Sequence, residues 1–295
     1  SGLWADPSRA QRINDLIEPI TRGTVGEMKK IQTDLVSPFA KTILSHLFKY
    51  NFEYKNETFK KHIDSLKNWN GEENKDSEDA LFFHSILRSL IINIYGDELS
   101  ALGDNYLEAF LGLKYLYTRN LRQILKDGTS SWFDNIKTKD YIETDKDIIK
   151  KSITDGISYA IDTFGKKKSN LKWGEAHTLT HNHLLGKVGI LNSLFGFNVG
   201  PFLSGGSDKT VRAGGFSYVE PFKQSAGASM RRIVDLSKIE EINFILPTGQ
   251  SGHPHSPHYS DQTKLYNDGK YKKTIINENK IREGKHKKLL LAPAE

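Results

Sequence analysis

The stretch Ser77-Glu-Asp-Ala-Leu-Phe-Phe-His-Ser-Ile-Leu-Arg-Ser-Leu-Ile-Ile-Asn-Ile94 decides how the first half of the chain is read. Ala80, Phe83, Leu87, Leu90, Ile91 and Ile94 recur at three- and four-residue spacing, which sets them on one face of a helix. Ser77 offers an N-cap oxygen, and Glu78 and Asp79 put negative charge at the positive end of the helix dipole. A second run carries Leu107, Phe110, Leu113, Tyr117, Leu121 and Ile124 and closes at Gly128, a residue suited to a helix end. Both runs read as core stripes.

On either side of these runs, the same spacing predicts shorter helices over residues 8–18, 24–33, 38–50, 57–68 and 145–164, with a polar loop over residues 70–75. Beyond residue 168 the texture changes. Glycines cluster at Gly196, Gly200, Gly205, Gly206, Gly214 and Gly215, and strand-like runs occupy residues 230–236, 242–247 and 289–291. The expected class is therefore α+β: a mainly helical region over residues 1–168 and a mixed, sheet-containing region over residues 169–295, joined as one intimate unit.

Several function classes fall away on composition. The chain has 295 residues, enough for a proper core, and no apolar run long enough to cross a bilayer, so no membrane partner is expected. It has no cysteine, which removes disulfides, zinc–thiolate sites and thiol nucleophiles together. Residues 1–12 lack the charged start and apolar stretch of a secretion signal, so an exported form is expected to carry its signal upstream. The net charge is +6, but the stretch from Lys264 to Lys288 holds nine basic residues against three acids and so accounts for the whole excess. That local run reads as a solvated basic loop, and no nucleic-acid partner is expected.

The residues that could carry chemistry give few signals of their own. His177, His181 and His183 form one cluster and His253, His255 and His258 another, but neither has a carboxylate at a recognisable ligand spacing, and prolines splay the second set. Both read as structural or surface histidines, and no metal is expected in this chain. The glycine-rich run from Gly200 to Ser207 lacks the Lys-Ser/Thr ending of a phosphate loop and reads as a turn. Thr248-Gly-Gln-Ser-Gly252 has the wrong spacing for a nucleophile elbow, so Ser251 reads as a loop serine that satisfies backbone groups.

Longer phrases are more specific. Gly227-Ala-Ser-Met-Arg-Arg-Ile-Val-Asp-Leu236 followed by Pro247-Thr-Gly-Gln-Ser-Gly-His-Pro-His-Ser-Pro-His-Tyr-Ser-Asp-Gln262 closely resembles a C-terminal signature of the penicillin acylase family. Trp4-Ala-Asp-Pro-Ser-Arg-Ala-Gln-Arg-Ile13 is similar to that family's Tyr/Phe-Arg-x-x-Arg-Ile segment, and Ile31-Gln-Thr-Asp-Leu-Val-Ser37 to its Leu-Gln-x-Asp-x-x-Ser. Trp69-Asn-Gly71, Trp132-Phe-Asp-Asn-Ile-Lys-Thr138, Trp173-Gly-Glu-Ala-His177, His183-Leu-Leu-Gly186, Val199-Gly-Pro-Phe202 and Thr210 continue the series in the family's order. The resemblance covers essentially the whole chain.

It implies the αββα fold of an N-terminal-nucleophile hydrolase, with residues 169–295 contributing strands to its sheets. The implied chemistry is amide hydrolysis by a serine whose own α-amine, with a reference pKa of about 8, acts as general base. A backbone amide and an asparagine form the oxyanion hole, each donor typically worth about 3 kcal/mol. In the family the serine, that asparagine and the calcium-binding acids lie mostly upstream of the Arg-x-x-Arg-Ile segment, where this chain begins. The chain is thus expected to be the C-terminal part of the nucleophile-bearing subunit, inactive alone, with no cofactor of its own and calcium in the parent protein. Its expected partners are the small subunit and the N-terminal part of the nucleophile subunit, its substrate class small acyl amides such as β-lactam side chains or acyl homoserine lactones, and its location periplasmic or secreted. Arg12 is the one residue the resemblance sets near the catalytic centre, as electrostatic support, against a plain reading as a helix arginine in an ion pair. Ser1 would be the nucleophile only if it is a native N-terminus. The run Ala5-Asp-Pro-Ser-Arg-Ala-Gln-Arg-Ile13 is unlike the long strand-rich segment after the family's nucleophile, so Ser1-Gly2 reads as a cloning remnant. A non-catalytic binding or scaffold domain derived from the family is the competing reading.

Overall fold

The computed structural model describes residues 5–166, 171–284 and 291. Twelve helices appear among them: α1 (Ser8–Ile17), α2 (Val25–Gln32), α3 (Pro38–Leu47), α4 (Glu57–Asn68), α5 (Glu78–Leu102), α6 (Tyr106–Gly112), α7 (Lys114–Asp127), α8 (Asp145–Phe164), α9 (Trp173–Ala176), α10 (Gly189–Phe195), α11 (Thr263–Asn267) and α12 (Glu278–Glu283). The strands are β1 (Thr178–His181), β2 (Val199–Leu203), β3 (Gly214–Phe216), β4 (Gln224–Gly227), β5 (Arg231–Val234), β6 (Glu241–Ile245) and β7 (Lys272–Ile275). The expected mixed class is what forms.

Helix α5 is the organising element of the first half. Ser77 Oγ accepts from Ala80 N at 3.1 Å, so the cap read in the sequence is made. The buried surface is wider than the expected single stripe: Leu81, Phe82, His84, Ser85 and Ile86 are buried along with the predicted face. A helix clothed on most sides by other elements has no face left for water, which explains its nearly continuous apolar run. Its principal partner is α8. Thr144 and Asp147 close a capping box at the start of α8, and Gly156 lies against α5 so closely that a Cβ there would stand 2.4 Å from Ile86 Cα.

The run expected as one helix from Leu107 to Ile124 is two. Leu113, at φ −97° and ψ 57°, breaks it between α6 and α7 and turns its side chain outward, 54% exposed, while Tyr117 and Leu121 stay in the core. Gly128 ends α7 in the left-handed conformation, as its position suggested.

The strands form two sheets. One has the order β2-β1-β4-β3, with β1 antiparallel to β2 and parallel to β4; the other is an antiparallel meander, β5-β6-β7. The sequence pointed to β5 and β6 but not to β1–β4 or β7, which are short and carry no clean alternation. Of the strand expected at residues 289–291, the first two residues lie outside those described, and Leu291 has no regular structure.

Contacts divide the chain elsewhere than at the change in texture near residue 168. One unit comprises residues 1–21 and 31–228, the other residues 22–30 and 229–295. The reason lies in the core: Trp173, Ala176, Phe216, Tyr218 and Phe222 join the same apolar cluster as α3, α5, α7 and α8. The second unit buries Ile233, Ile245 and Tyr266, where α11 meets one face of the three-stranded sheet.

Gly156→Ala tests the α5–α8 contact. Alanine is the better helix former by about 1 kcal/mol, but the clash with the Ile86 backbone is overpacking and outweighs that gain, so we expect a net loss of about 2 kcal/mol in urea unfolding.

Candidate functional site

The family-like phrases that are far apart in sequence meet in the first unit. Arg9 and Arg12 are three apart on α1 and so share a face. Arg9 donates to the carbonyls of Thr210 (Nε, 3.0 Å) and Val211 (Nη2, 3.1 Å). Arg12 grips Asp34 with two bonds, Nε to Oδ1 at 3.0 Å and Nη2 to Oδ2 at 2.7 Å, the fork geometry that makes arginine–carboxylate pairs directional. That bond raises the guanidinium's affinity for its proton further, against the opposing effect of partial burial. Asp34 also receives Val36 N through its carboxylate and Arg212 N through its backbone carbonyl. Asp6 completes the anchorage by pairing with Arg122 of α7 at 3.1 Å and accepting from Ser8.

The loop that receives Arg9 is itself tightly built. Thr210 Oγ1 accepts from Ser207 N at 3.0 Å and donates to Arg212 O at 2.7 Å. Gly206 sits at φ 85°, and a Cβ on it would come 2.5 Å from Arg212 O, so only glycine fits. Gly206 N donates to Glu73 O and Gly206 O accepts from Trp173 Nε1. The run from Gly200 to Ser207, read as a turn, is therefore half strand β2 and half this hydrogen-bonded loop.

Behind the loop lies a column of stacked rings. His84 stacks on Trp173 with centroids 4.3 Å apart, and Trp173 on His177 at 4.6 Å. His177 is fully buried, its Nδ1 2.6 Å from Phe222 O, and burial pushes its pKa down to about 3. Glu73, inside the segment expected as a polar loop, is fully buried with Oε1 3.4 Å from His84 Nε2. Beside this pair a cavity of about 20 Å³, large enough for one water, is lined by His84, Tyr117, Tyr218, Lys114, Asp208 and Lys209. Burial works to raise the Asp208 carboxyl, but Lys209, bonded at 2.8 Å, and Lys114 outweigh it and hold it below the usual range.

Sequence reading singled out Arg12 but not its partner's role, although Asp34 stands in one of the quoted phrases. Glu73 and His84 carried no signal. Ser1 lies outside the described residues. The histidines do not converge: His183 Nδ1 accepts from Leu185 N, His253 Nδ1 accepts from His255 N, and His258 faces Asp261 at 3.4 Å. Among the described residues no group of three or more His, Asp or Glu could hold a metal ion.

The C-terminal signature forms a separate site in the second unit. Residues 247–262 fold back over one face of the β5-β6-β7 sheet, held by Gly249 N to Tyr259 O and Ser251 N to His258 O. Ser251 Oγ accepts from His253 N, the backbone role expected of it. The cavity between loop and sheet is about 790 Å³, with Ile242 and Phe244 on its floor and Arg232, His258, Asp261 and Lys272 around it. Lys272, bonded to Asp261 at 2.9 Å, holds that carboxyl below its usual range.

Two outcomes are expected of the first-unit cluster. Because folding lowers the His177 pKa from 6.5 to about 3, the unfolded chain takes up the proton first as the pH falls through that window. Stability is therefore lost below about pH 6.5 with a slope approaching 1.4 kcal/mol per pH unit from this residue. In His177→Asn, urea midpoints measured from pH 7 to 4 should fall less steeply than in the parent. Arg12→Met and Asp34→Asn should each cost about 1 kcal/mol, and the double variant little more than either, since they remove one partly buried pair.

The comparisons with known proteins agree with this assembly of phrases. The sequence matches the penicillin amidase family over residues 1–283. It is similar to the acyl-homoserine lactone acylase QuiP of Pseudomonas syringae pv. syringae, at 24% identity over 317 residues covering 100% of this chain and 37% of that protein. QuiP of Pseudomonas aeruginosa strain PAO1 stands at 24% over 318 residues, with the same coverage of 100% and 37%. The chain thus spans little more than a third of the length of these curated relatives. Among solved structures, a thermostable penicillin G acylase from Alcaligenes faecalis superposes with a TM-score of 0.51 over 96% of this chain and 53% of that one, at 15% identity, which is a likeness of fold. The chain belongs to the penicillin amidase family.

Proposed function

We propose that the chain is the C-terminal, supporting part of the nucleophile-bearing subunit of an acylase that hydrolyses acyl amides. The observation that carries this reading is the convergence of four dispersed family phrases, through Arg9 and Arg12, Asp34, Trp173 and Thr210, on one hydrogen-bonded cluster. The relatives named for acyl-homoserine lactones support an acyl amide of that kind, or a β-lactam side chain, as the substrate of the whole protein. The small subunit and the N-terminal part of the nucleophile subunit are the proposed partners, and the proposed location is periplasmic or secreted.

In this reading the chain's contribution is electrostatic and positional. Arg12 spends Nε and Nη2 on Asp34, which fixes its plane and leaves Nη1 for a group outside the described residues. A guanidinium locked in this way supplies positive charge at a set point without the entropy cost of ordering a free arginine.

Hydrolysis of a chromogenic phenylacetyl amide and of an N-acyl homoserine lactone tests the reading. The purified chain should turn over neither, and co-production with the polypeptide that flanks it in its own reading frame should restore activity, with Arg12→Met reducing it at least about ten-fold. Turnover by the chain alone that disappears in Ser1→Ala would make Ser1 a working nucleophile and sink the proposal.

A further inference from the structure

Residues 184–195 form an apolar finger on the first unit. A short 3-10 turn (Leu184–Lys187) leads into α10, and the two pack on each other. Leu184 and Ile190 are each 75% exposed and Leu194 68%, with Val188 and Phe195 also outside. Polar groups hold the finger's shape. Asn198 Oδ1 accepts from His183 N at 2.9 Å, Asn198 Nδ2 donates to Gly186 O at 3.0 Å, and Asn192 Oδ1 accepts from Asn198 N at 2.8 Å. Gly186 leaves room for that clasp, since a Cβ there would fall 2.0 Å from Asn198 Oδ1. Gly196, at φ 63°, ends α10 so that the chain can return to β2.

A rigid polar clasp that points a cluster of large apolar side chains into solvent is a preformed contact surface. Its neighbour β2 is an edge strand, but Pro201 removes a donor from that edge, so association through side chains is favoured over addition of a strand. The stretch carries a single cation, Lys187, which is unlike the basic polar face of a helix that lies on a membrane. The relatives run to nearly three times the length aligned here, so that a large body of polypeptide in the same proteins is available to cover such a surface.

We propose that this finger is the seat on which the remaining polypeptide of the acylase docks, through an apolar patch that receives Leu184, Ile190 and Leu194. The inference rests on the reading that the chain is one part of a larger hydrolase.

The test uses the 295-residue chain and the polypeptide flanking it in its own reading frame, produced as a separate chain and mixed in sedimentation velocity. The unsubstituted chain should form a one-to-one complex, and Ile190→Glu combined with Leu194→Glu should weaken it about a hundred-fold or more. Because both positions are exposed, circular dichroism and the thermal midpoint should not change; Leu102→Glu, at another exposed apolar position, should leave the complex intact. Equal binding by the double variant would overturn the docking surface while leaving the acylase reading in place. No complex with the unsubstituted chain, or a reading frame that encodes no further polypeptide, would overturn that reading and the inference with it. Self-association of the isolated chain that the double variant abolishes would overturn the proposed partner in favour of a second copy.

Discussion

At Gly156 helix α8 approaches α5 until no room is left for a side chain, and the backbone of one helix rests on Ile86 of the other. Much else in the first unit depends on that approach. With α8 pressed on one side, α4, α6 and α9 can clothe the rest of α5, and the core shared with α3 and α7 reaches Trp173 and Phe222 from beyond the helical half. Those two aromatic residues bind the small strands to the helices. The four-stranded sheet, with strands of three to five residues, would bury too little to stand alone.

The polar interior depends on the same packing. His177 can remain neutral and buried because Trp173 covers one face of its ring and Phe222 O accepts from Nδ1. Glu73, His84 and Lys209 are buried among packed rings, with Asp208 half-buried against Lys209, where a charge without a counterpart would be costly. On the outer side of this region α1 is tied down by three acid–base or carbonyl contacts from Asp6, Arg9 and Arg12. The N-terminal helix thus depends on long-range polar contacts, in contrast to α5, whose anchorage is almost wholly apolar.

Legibility in the sequence varied with the range of the physics involved. The cap at Ser77, the left-handed Gly128 and the spans of α4 and α8 depend on neighbours within a few residues, and each can be read locally. The break at Leu113 could not: the apolar spacing runs straight through it, yet in the fold Leu113 turns outward while Tyr117 and Leu121 are buried. Glu73 is the sharper case. Its neighbours Asn70, Glu72, Asn74 and Lys75 are all polar, and nothing in them marks one carboxylate as buried against a histidine eleven residues on.

For this protein, then, the order of amino acids was enough to set most helices of the first half, the mixed character of the second and membership of the penicillin amidase family, because caps, periodicity and residue identity in long phrases are properties of the chain itself. It took the folded chain to establish that Arg12 faces Asp34, that Glu73 is buried beside His84, and that Leu184, Ile190 and Leu194 point outward. Each of those depends on which distant segments meet, and that is settled by packing across the whole unit, which no local pattern records.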